Sequence, residues 1–127
     1  MNRKVQSILT ECETRLMHII WDQGSATAAE IRKALERQGM KRSDSAIRKT
    51  LRVMEEKEAI QHEEQDRTFI YHPVLDQRTA EQKGIEYISR LLFGGSPACL
   101  ALRALDEADL TPEMIKEIRK ILGRKSK

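Results

Sequence analysis

Three short helical patterns follow one another between residues 10 and 57, and each begins at a residue that can cap a helix. Thr10 with Glu13, and Thr27 with Glu30, have the spacing of a capping box, in which each residue's side chain accepts the other's free N–H group. Apolar residues then recur at helical spacing until a glycine ends each of these two patterns. The sequence therefore predicts two short helices, each buried along one face.

The third helical pattern begins at Ser43, whose hydroxyl can cap the first turn. Its apolar residues are three and four positions apart and predict a buried stripe, formed by Ile47, Leu51 and Met54. The opposite stripe carries one hydroxyl and three cations, from Ser45, Arg48, Lys49 and Arg52. We expect this helix to present a polar, cationic edge to solvent.

After the third pattern the spacing changes to the alternation that is typical of strands. Residues 59–63 and 68–74 form two short runs, with Phe69 and Tyr71 on one face, and residues 64–67 form the expected hairpin tip. Three short helices followed by a two-stranded hairpin describe a winged helix-turn-helix domain. We expect this domain to occupy residues 1–75.

The rest of the chain, residues 76–127, has the pattern of a helical arm. It predicts three helices that begin near Asp76, Ser96 and Thr111, the last of them ending at Gly123. Their apolar faces are too extensive for about fifty residues to bury alone, which predicts a homodimer. The expected interface residues are Ile85, Ile88, Leu91, Leu92, Leu102, Leu105, Ile115, Ile118 and Leu122. The open alternative is a monomer in which these faces pack against the first 75 residues.

The whole chain is thus expected to be mainly α-helical, with a winged helix-turn-helix domain and a C-terminal helical dimerisation arm. A net charge of +3 is too small to indicate nucleic-acid binding by itself, and 4% aromatic residues are too few for modules that stack single-stranded bases. The local charge is more informative, because five cations lie in residues 41–52 with Asp44 as the only acid. No apolar run is long enough for a membrane span or a signal peptide, which predicts a cytoplasmic protein without membrane insertion.

The residue types that carry catalysis or bind metals lack the necessary spacing. His18, His62 and His72 are far apart, which favours structural or surface roles. Cys12 and Cys99 form no close pair, and both are expected to be small buried apolar residues. Phosphate-binding glycine loops, nucleophile elbows and paired acid–base carboxylates are absent from the sequence. We therefore expect no enzyme activity, no metal and no cofactor.

The cationic stripe of the third helix suits the major groove of duplex DNA, which admits one α-helix. Arg48 or Lys49 could donate to guanine, Ala46 could contact a thymine methyl group, and Arg67 at the hairpin tip could reach the minor groove or a phosphate. The residues expected to contact DNA are Lys41, Arg42, Ser43, Ser45, Ala46, Arg48, Lys49, Arg52 and Arg67. Two alternatives stay open: a solvated charged face, and a winged helix that binds protein.

Several segments together resemble the BlaI/MecI family of penicillinase repressors. They are residues 9–35, the helix 43–57, the wing Asp-Arg-Thr-Phe-Ile-Tyr-His-Pro at 66–73, Leu-Phe-Gly-Gly-Ser at 92–96 and Asp-Leu-Thr-Pro-Glu at 109–113. The resemblance implies a homodimeric winged-helix repressor on a pseudo-palindromic DNA operator, dimerised through the C-terminal arm. It also implies control of a β-lactam resistance gene or a related stress gene.

Many members of that family are released from DNA when a membrane sensor with a zinc peptidase domain leads to cutting of the arm, so the resemblance implies such a partner. The corresponding segment is Leu102, Arg103, Ala104 and Leu105, in which Arg103 and Ala104 replace the family's asparagine and aromatic residue. Glu58 stands where the family usually has glycine, and a positive φ there would cost about 1 kcal/mol relative to glycine. The tail 123–127 lacks the cysteines of the copper-sensing branch.

Overall fold

A computed structural model of the chain describes residues 9–126. These residues form six helices and one antiparallel two-stranded sheet, in the order α1 (Glu11–Gln23), α2 (Ala28–Arg37), α3 (Asp44–Glu56), β1 (Ile60–Gln65), β2 (Thr68–Pro73), α4 (Gln77–Leu92), α5 (Pro97–Glu107) and α6 (Pro112–Lys125). The chain is mainly helical and its first part is a winged helix-turn-helix, as the sequence predicts. Residues 1–8 and 127 of the two expected domains lie outside the described residues.

The helices begin at the polar caps that the sequence predicts. The Glu13 N–H donates to Thr10 Oγ1 over 3.1 Å, and the Thr10 N–H donates to Glu13 Oε1 over 2.8 Å. Thr27 and Glu30 repeat this reciprocal pair at 3.2 and 2.8 Å. Three further helices are capped by a hydroxyl that accepts one N–H of the first turn, from Ser43, Ser96 and Thr111. Side-chain chemistry therefore sets where these helices start.

The first compact unit of the chain ends at Gly84 and holds one apolar core. The inner faces of α1, α2 and α3 meet there with the first residue of β1 and with Tyr71 of β2. The stripe predicted for α3 is confirmed, since Ile47, Leu51 and Met54 are at most 2% exposed. The Trp21 indole N–H donates to the Leu75 carbonyl over 2.8 Å, which holds the chain after the sheet against α1.

The sheet forms the wing, and its tip is a two-residue turn of Asp66 and Arg67. Both residues have positive φ, 52° and 66°, as expected for the type I′ turn that suits the twist of a hairpin. The predicted tip of residues 64–67 is too long, because Glu64 pairs with Phe69 and Gln65 with Thr68 in the ladder.

An isolated bridge joins the wing to the segment before α2. Ala26 and Tyr71 exchange two backbone hydrogen bonds, of 3.0 and 2.8 Å. Because α2 begins two residues later, this bridge fixes the first turn of α2 close to the wing. The bridge joins residues far apart in sequence, and the sequence pattern did not predict it.

The second compact unit begins at Ile85, inside α4. Ser89 is the single buried residue among residues 85–126, and α5 and α6 have none. Cys99, in the first turn of α5, is exposed, so the expectation that it is buried is wrong; Cys12 is half-buried against the core of the first unit. The last helix runs past Gly123 to Lys125, because Gly123 keeps a helical φ and cations favour a helix C-terminus.

Glu58 occupies the turn between α3 and β1 with a φ of 63°, the left-handed conformation that favours glycine. The turn is closed by hydrogen bonds from the Glu58 N–H to the Glu55 carbonyl and from the Ala59 N–H to the Met54 carbonyl, 2.9 and 3.0 Å long. One carboxylate oxygen of Glu58, Oε2, is buried without a hydrogen-bond partner among the described residues. Both features make this position a site of local strain.

We expect Glu58→Gly to raise the free energy of unfolding by about 1 kcal/mol, because glycine adopts positive φ without the steric cost. The matched control is Glu56→Gly at the last position of α3, which should lower the free energy of unfolding by about 1 kcal/mol, since glycine is a poor helix former. Urea denaturation followed by circular dichroism measures both. A loss of stability in Glu58→Gly would contradict the assignment of strain.

A buried ion pair joins α1 to the end of α3. The Lys57 ammonium donates to Glu13 Oε1 over 2.7 Å, and the Glu13 side chain is only 6% exposed. Burial on its own raises the pKa of the Glu13 carboxyl, but the hydrogen bonds from Lys57 and Thr10 together outweigh burial and hold the pKa below its ordinary value of 4.5. Ionised Glu13 therefore stabilises the folded state.

A lowered folded-state pKa means that the stabilisation is present above pH 4.5 and is lost as the pH falls through the folded-state pKa. Glu13→Gln should lower the free energy of unfolding by about 2 kcal/mol near neutral pH, the scale of a hydrogen bond to a charged group. This difference should shrink as the solution is acidified below about pH 4.

Urea titrations of both proteins across this range of pH measure the difference. The control is Glu11→Gln, since Glu11 is 86% exposed and, among residues 9–126, pairs with Arg15 alone, and its effect should stay below about 0.5 kcal/mol throughout. A Glu13→Gln difference that does not change with pH would contradict the role of the ionised carboxylate.

Candidate nucleic-acid interface

The cationic stripe of α3 lies on the exposed side of the helix. Ser45, Arg48, Lys49 and Arg52 are all exposed, and Ala46 is half-buried. No salt bridge among the described residues involves the three cations. Their side chains are therefore available to a negatively charged partner.

The segment that leads into α3 is cationic and exposed as well. Lys41 and Arg42 are exposed, and the Arg42 guanidinium donates to the Lys41 carbonyl over 3.4 Å. Asp44, the single acid of this segment, lies 3.4 Å from the Arg32 guanidinium of α2. The nearby guanidinium of Arg32 offsets part of the negative charge that Asp44 places beside the cations of α3.

The two serines at the start of α3, Ser43 and Ser45, have different roles. Ser43 Oγ accepts the Ala46 N–H over 3.2 Å and is the cap of the helix. Its hydroxyl lies 3.3 Å from the Ser45 hydroxyl, and both serines are exposed. Ser43 therefore caps the helix, whereas the Ser45 hydroxyl can donate a hydrogen bond to an external acceptor such as phosphate.

A groove of about 620 Å³ separates α3 from the wing and from the first turn of α2. Three arginines line it, two from α3 and one from the wing tip: Arg48, Arg52 and Arg67. Its remaining lining residues are Thr27, Ala28, Ala29, Glu55, His62, Thr68, Phe69 and Tyr71. Guanidinium groups and the positive end of a helix both favour an anion, so the groove suits a phosphate-bearing ligand.

Tyr71 lines the groove, and three charged side chains influence the pKa of its phenol. Burial raises the pKa of the Tyr71 phenol, and the charge of Glu55 raises it further, whereas Arg48 and Arg52 lower it. All three charged side chains therefore act on the same small region of the protein. Glu55 is the acid in an otherwise cationic groove.

The wing tip places Arg67 at the rim of this groove and turns one neighbouring acid away from it. Glu63 and His72 lie on the face of the hairpin opposite His62, where Glu63 Oε1 is 3.0 Å from His72 Nε2. Glu63 therefore lies away from the groove, whereas Asp66 stays exposed beside Arg67.

Sequence reasoning missed part of this groove. The capping pattern identifies the first turn of α2 only as a helix start, and this turn lies at the groove because of the Ala26–Tyr71 bridge. The spacing of the histidines predicts only a surface or structural role for His62, which lines the groove. The signal that could have found it is the strand alternation, which puts residues 62, 69 and 71 on one face of the hairpin.

The residues expected at the dimer interface lie in the second unit and are largely uncovered. Ile118 is half-buried and the other eight are exposed. Four more large apolar or aromatic residues that the expected interface omits are also exposed: Tyr87, Leu110, Met114 and Ile121. The segment 102–105 that corresponds to the family's cleavage region is exposed and helical, within α5.

Residues 9–126 lack both a metal-binding cluster and a membrane-spanning helix. In that part of the chain, no group of three or more histidine, cysteine or acidic side chains is arranged to hold a metal ion. None of the described helices combines the length and apolar character needed to cross a bilayer.

Comparison with known proteins covers both units. The family model described as penicillinase repressor matches residues 9–124. The penicillinase repressor of Bacillus licheniformis is 27% identical over 115 residues, which are 90% of this chain and 88% of that protein. The methicillin resistance regulatory protein MecI, from Mammaliicoccus sciuri and from Staphylococcus aureus strain N315, is 25% identical over 125 residues, which are 98% of this chain and 100% of the relative.

Proposed function

Because the chain belongs to the penicillinase repressor family and is a transcriptional repressor, we propose that it acts by binding a pseudo-palindromic duplex operator as a homodimer. In this proposal α3 of each protomer enters the major groove of one half-site, and the wing contacts the flanking backbone or minor groove. Repression requires no reaction by the chain itself, which agrees with a family of regulators rather than enzymes.

The observation that carries the DNA-binding proposal is the free cationic stripe of α3. Arg48, Lys49 and Arg52 are exposed and unpaired among the described residues, while Asp44 is engaged with Arg32. Residues near the start of a recognition helix reach base edges, so we assign base contacts to Ala46, Arg48 and Lys49. We assign phosphate contacts to Lys41, Arg42, Ser43, Ser45, Arg52 and Arg67.

The groove favours DNA over the alternative of a protein-binding winged helix. Three guanidinium groups and the N-terminus of α2 surround one concave surface, an arrangement that suits closely spaced phosphates. An acidic protein partner would need an equally dense row of carboxylates. A twofold dimer would then read half-sites about one helical turn apart, 10 to 10.5 base pairs, or a multiple of that.

The poor burial of the second unit supports dimerisation. Ser89 is the single buried residue among residues 85–126, so this unit cannot gain enough from apolar burial to fold alone, and chains of about 40 residues usually need oligomerisation for stability. Its exposed apolar side chains recur along α4, α5 and α6. We propose that a second copy of this chain covers them, since identical apolar faces are self-complementary around a twofold axis.

The names of the relatives also bear on what the chain regulates. Control of a β-lactam resistance gene or a related stress gene follows from the names of the relatives. We also propose a cytoplasmic location, where the chain meets DNA, and a membrane zinc-peptidase sensor as a partner. A peptidase acting between Leu102 and Leu105 would first have to unwind α5, because that segment is helical.

Arg48→Ala should weaken binding to the preferred duplex by about 1 to 3 kcal/mol and relax the preference at one base pair, if the guanidinium reads guanine. The preferred duplex is obtained by selection from a random pool, and fluorescence anisotropy measures affinity for it and for variants at each position. The control is Arg15→Ala on α1, outside the groove, with little expected effect. An equal loss for every sequence would instead make Arg48 a phosphate contact.

Duplex binding should also depend steeply on salt, with a slope of log affinity against log salt of about −0.9 per phosphate neutralised. Random duplex DNA should bind weakly but measurably at about 50 mM salt. A salt-independent affinity, or no binding to any duplex at that salt concentration, would contradict the DNA-binding proposal and favour the protein-binding alternative.

Leu102→Glu should shift the protein from dimer to monomer, because it places a charge in the proposed apolar interface. Leu102 is 68% exposed in the single chain, so the change should not disturb its own fold. Its matched control is the neighbouring Arg103→Glu, which alters charge without removing an apolar contact. Size-exclusion chromatography with light scattering measures the mass, and a wild-type monomer at micromolar concentration would contradict the dimer.

A further inference from the structure

A hydrogen bond between the wing and α3 holds the acid that lies among the arginines of the groove. His62 Nδ1 lies 2.8 and 2.7 Å from the two carboxylate oxygens of Glu55, and because a carboxylate accepts hydrogen bonds, the Nδ1–H group is the donor. The His62 ring also stacks on Phe69, with centroids 4.1 Å apart and an angle of 19° between the planes. Phe69 therefore supports the ring while the ring donates to α3.

Arg52 is the cation with which Glu55 would otherwise pair. It lies three positions before Glu55 on α3, and side chains at this spacing are neighbours on a helix surface, where an acid and a base form an ion pair. Both side chains line the groove. No salt bridge among residues 9–126 joins them, and both oxygens of Glu55 are instead in contact with His62. The histidine and the arginine are thus alternative partners for one carboxylate.

We propose that His62 is a positioning residue for DNA binding, because it holds the Glu55 carboxylate and so leaves Arg52 free to contact a phosphate. This inference rests on the proposed function, in which Arg52 contacts the DNA backbone. If Glu55 paired with Arg52, the apparent affinity for DNA would fall in proportion to the fraction of molecules in which Arg52 is free. The role of His62 requires one N–H donor at the position of Nδ1 and no charge on the ring.

A contact that served only to hold the wing would act through a different arginine. Arg67 is at the wing tip, so a displaced wing would change the contribution of Arg67 to DNA binding. Arg52 is on α3, whose position is set by the core, so its contribution depends on the partner of Glu55 and not on the wing. The contributions of the two arginines therefore distinguish the two roles of His62.

Two substitutions separate the hydrogen bond of His62 from its ring stack. In His62→Phe the ring that packs on Phe69 is kept and the donor is lost. In His62→Asn the ring is lost, but the amide nitrogen, bonded to Cγ as Nδ1 is, still donates and cannot gain a charge. The His62 side chain is 31% exposed, so both changes should be tolerated, and His62→Ala is a further variant without a donor.

The experiment measures the penalty of Arg52→Ala in each background, by fluorescence anisotropy with a random duplex of about 30 base pairs at about 50 mM salt. The penalty is the fold-loss of affinity that this substitution causes. It should be about two- to threefold smaller in His62→Phe than in the wild type, the scale of one exposed ion pair. In His62→Asn it should equal the wild-type penalty. The penalty of Arg67→Ala should be the same in all three backgrounds.

Removal of the acid should restore the contribution of Arg52. In His62→Phe with Glu55→Gln, the Arg52→Ala penalty should return at least to its wild-type value, because the carboxylate that pairs with Arg52 is gone. The matched control is Glu56→Gln in the same His62→Phe background. Glu56 lies four positions after Arg52 and is exposed, but it does not line the groove, so its removal should not restore the penalty.

Equal Arg52→Ala penalties in the wild type and in His62→Phe would overturn this inference while leaving the DNA-binding proposal intact. A reduction confined to Arg67→Ala would also overturn it and would assign His62 to the wing. If the wild-type chain binds no duplex, the proposed function itself fails, and NMR then tests whether His62 holds Glu55. The Arg52 Nε–H signal should move in His62→Phe and return when Glu55→Gln is added, and an unmoved signal contradicts the competition for Glu55.

Discussion

Burial of one stripe of α3 is the constraint on which the rest of this structure depends. Ile47, Leu51 and Met54 are in the core, so the geometry of the helix forces the opposite stripe outward. The direction of that stripe is then held by two links of different kinds. Lys57 binds Glu13 at the end of the helix, and Asp44 contacts Arg32 at its start. The cationic stripe is therefore exposed because the opposite stripe is buried, and its own side chains need no contact to orient it.

Local signals were sufficient to predict the elements of the first unit. Capping residues and apolar spacing identify three helices, and alternation identifies the wing, because both depend on residues within a few positions of one another. The hairpin tip was placed too broadly, since Glu64 and Gln65 resemble turn residues and are kept in the ladder by their cross-strand partners Phe69 and Thr68. The same limit applies to the end of α6. Glycine often ends a helix by adopting a positive φ, but Gly123 keeps a helical φ and the helix continues past it.

Only part of the candidate site could be predicted from local sequence patterns. Arg48, Lys49 and Arg52 could be found from spacing, because one helix carries them. The groove could not be found in this way, because it forms where α2, α3 and the wing meet. The Ala26–Tyr71 bridge brings the first turn of α2 to the groove, and it joins residues far apart in sequence. Strand alternation puts His62 on the same face of the hairpin as Phe69, but its hydrogen bond with Glu55, seven positions away in the sequence, could not be predicted from spacing.

The type I′ turn at the wing tip has a consequence for engineering this protein. Asp66 and Arg67 both adopt left-handed backbone angles that each cost an ordinary residue roughly 1 kcal/mol or more. A more heat-resistant version would be obtained most simply with Asn-Gly at these positions, the preferred pair for this turn. That exchange would remove the Arg67 guanidinium from the tip. The same two residues therefore cannot both maximise the thermal stability of the turn and supply a cation for a nucleic acid.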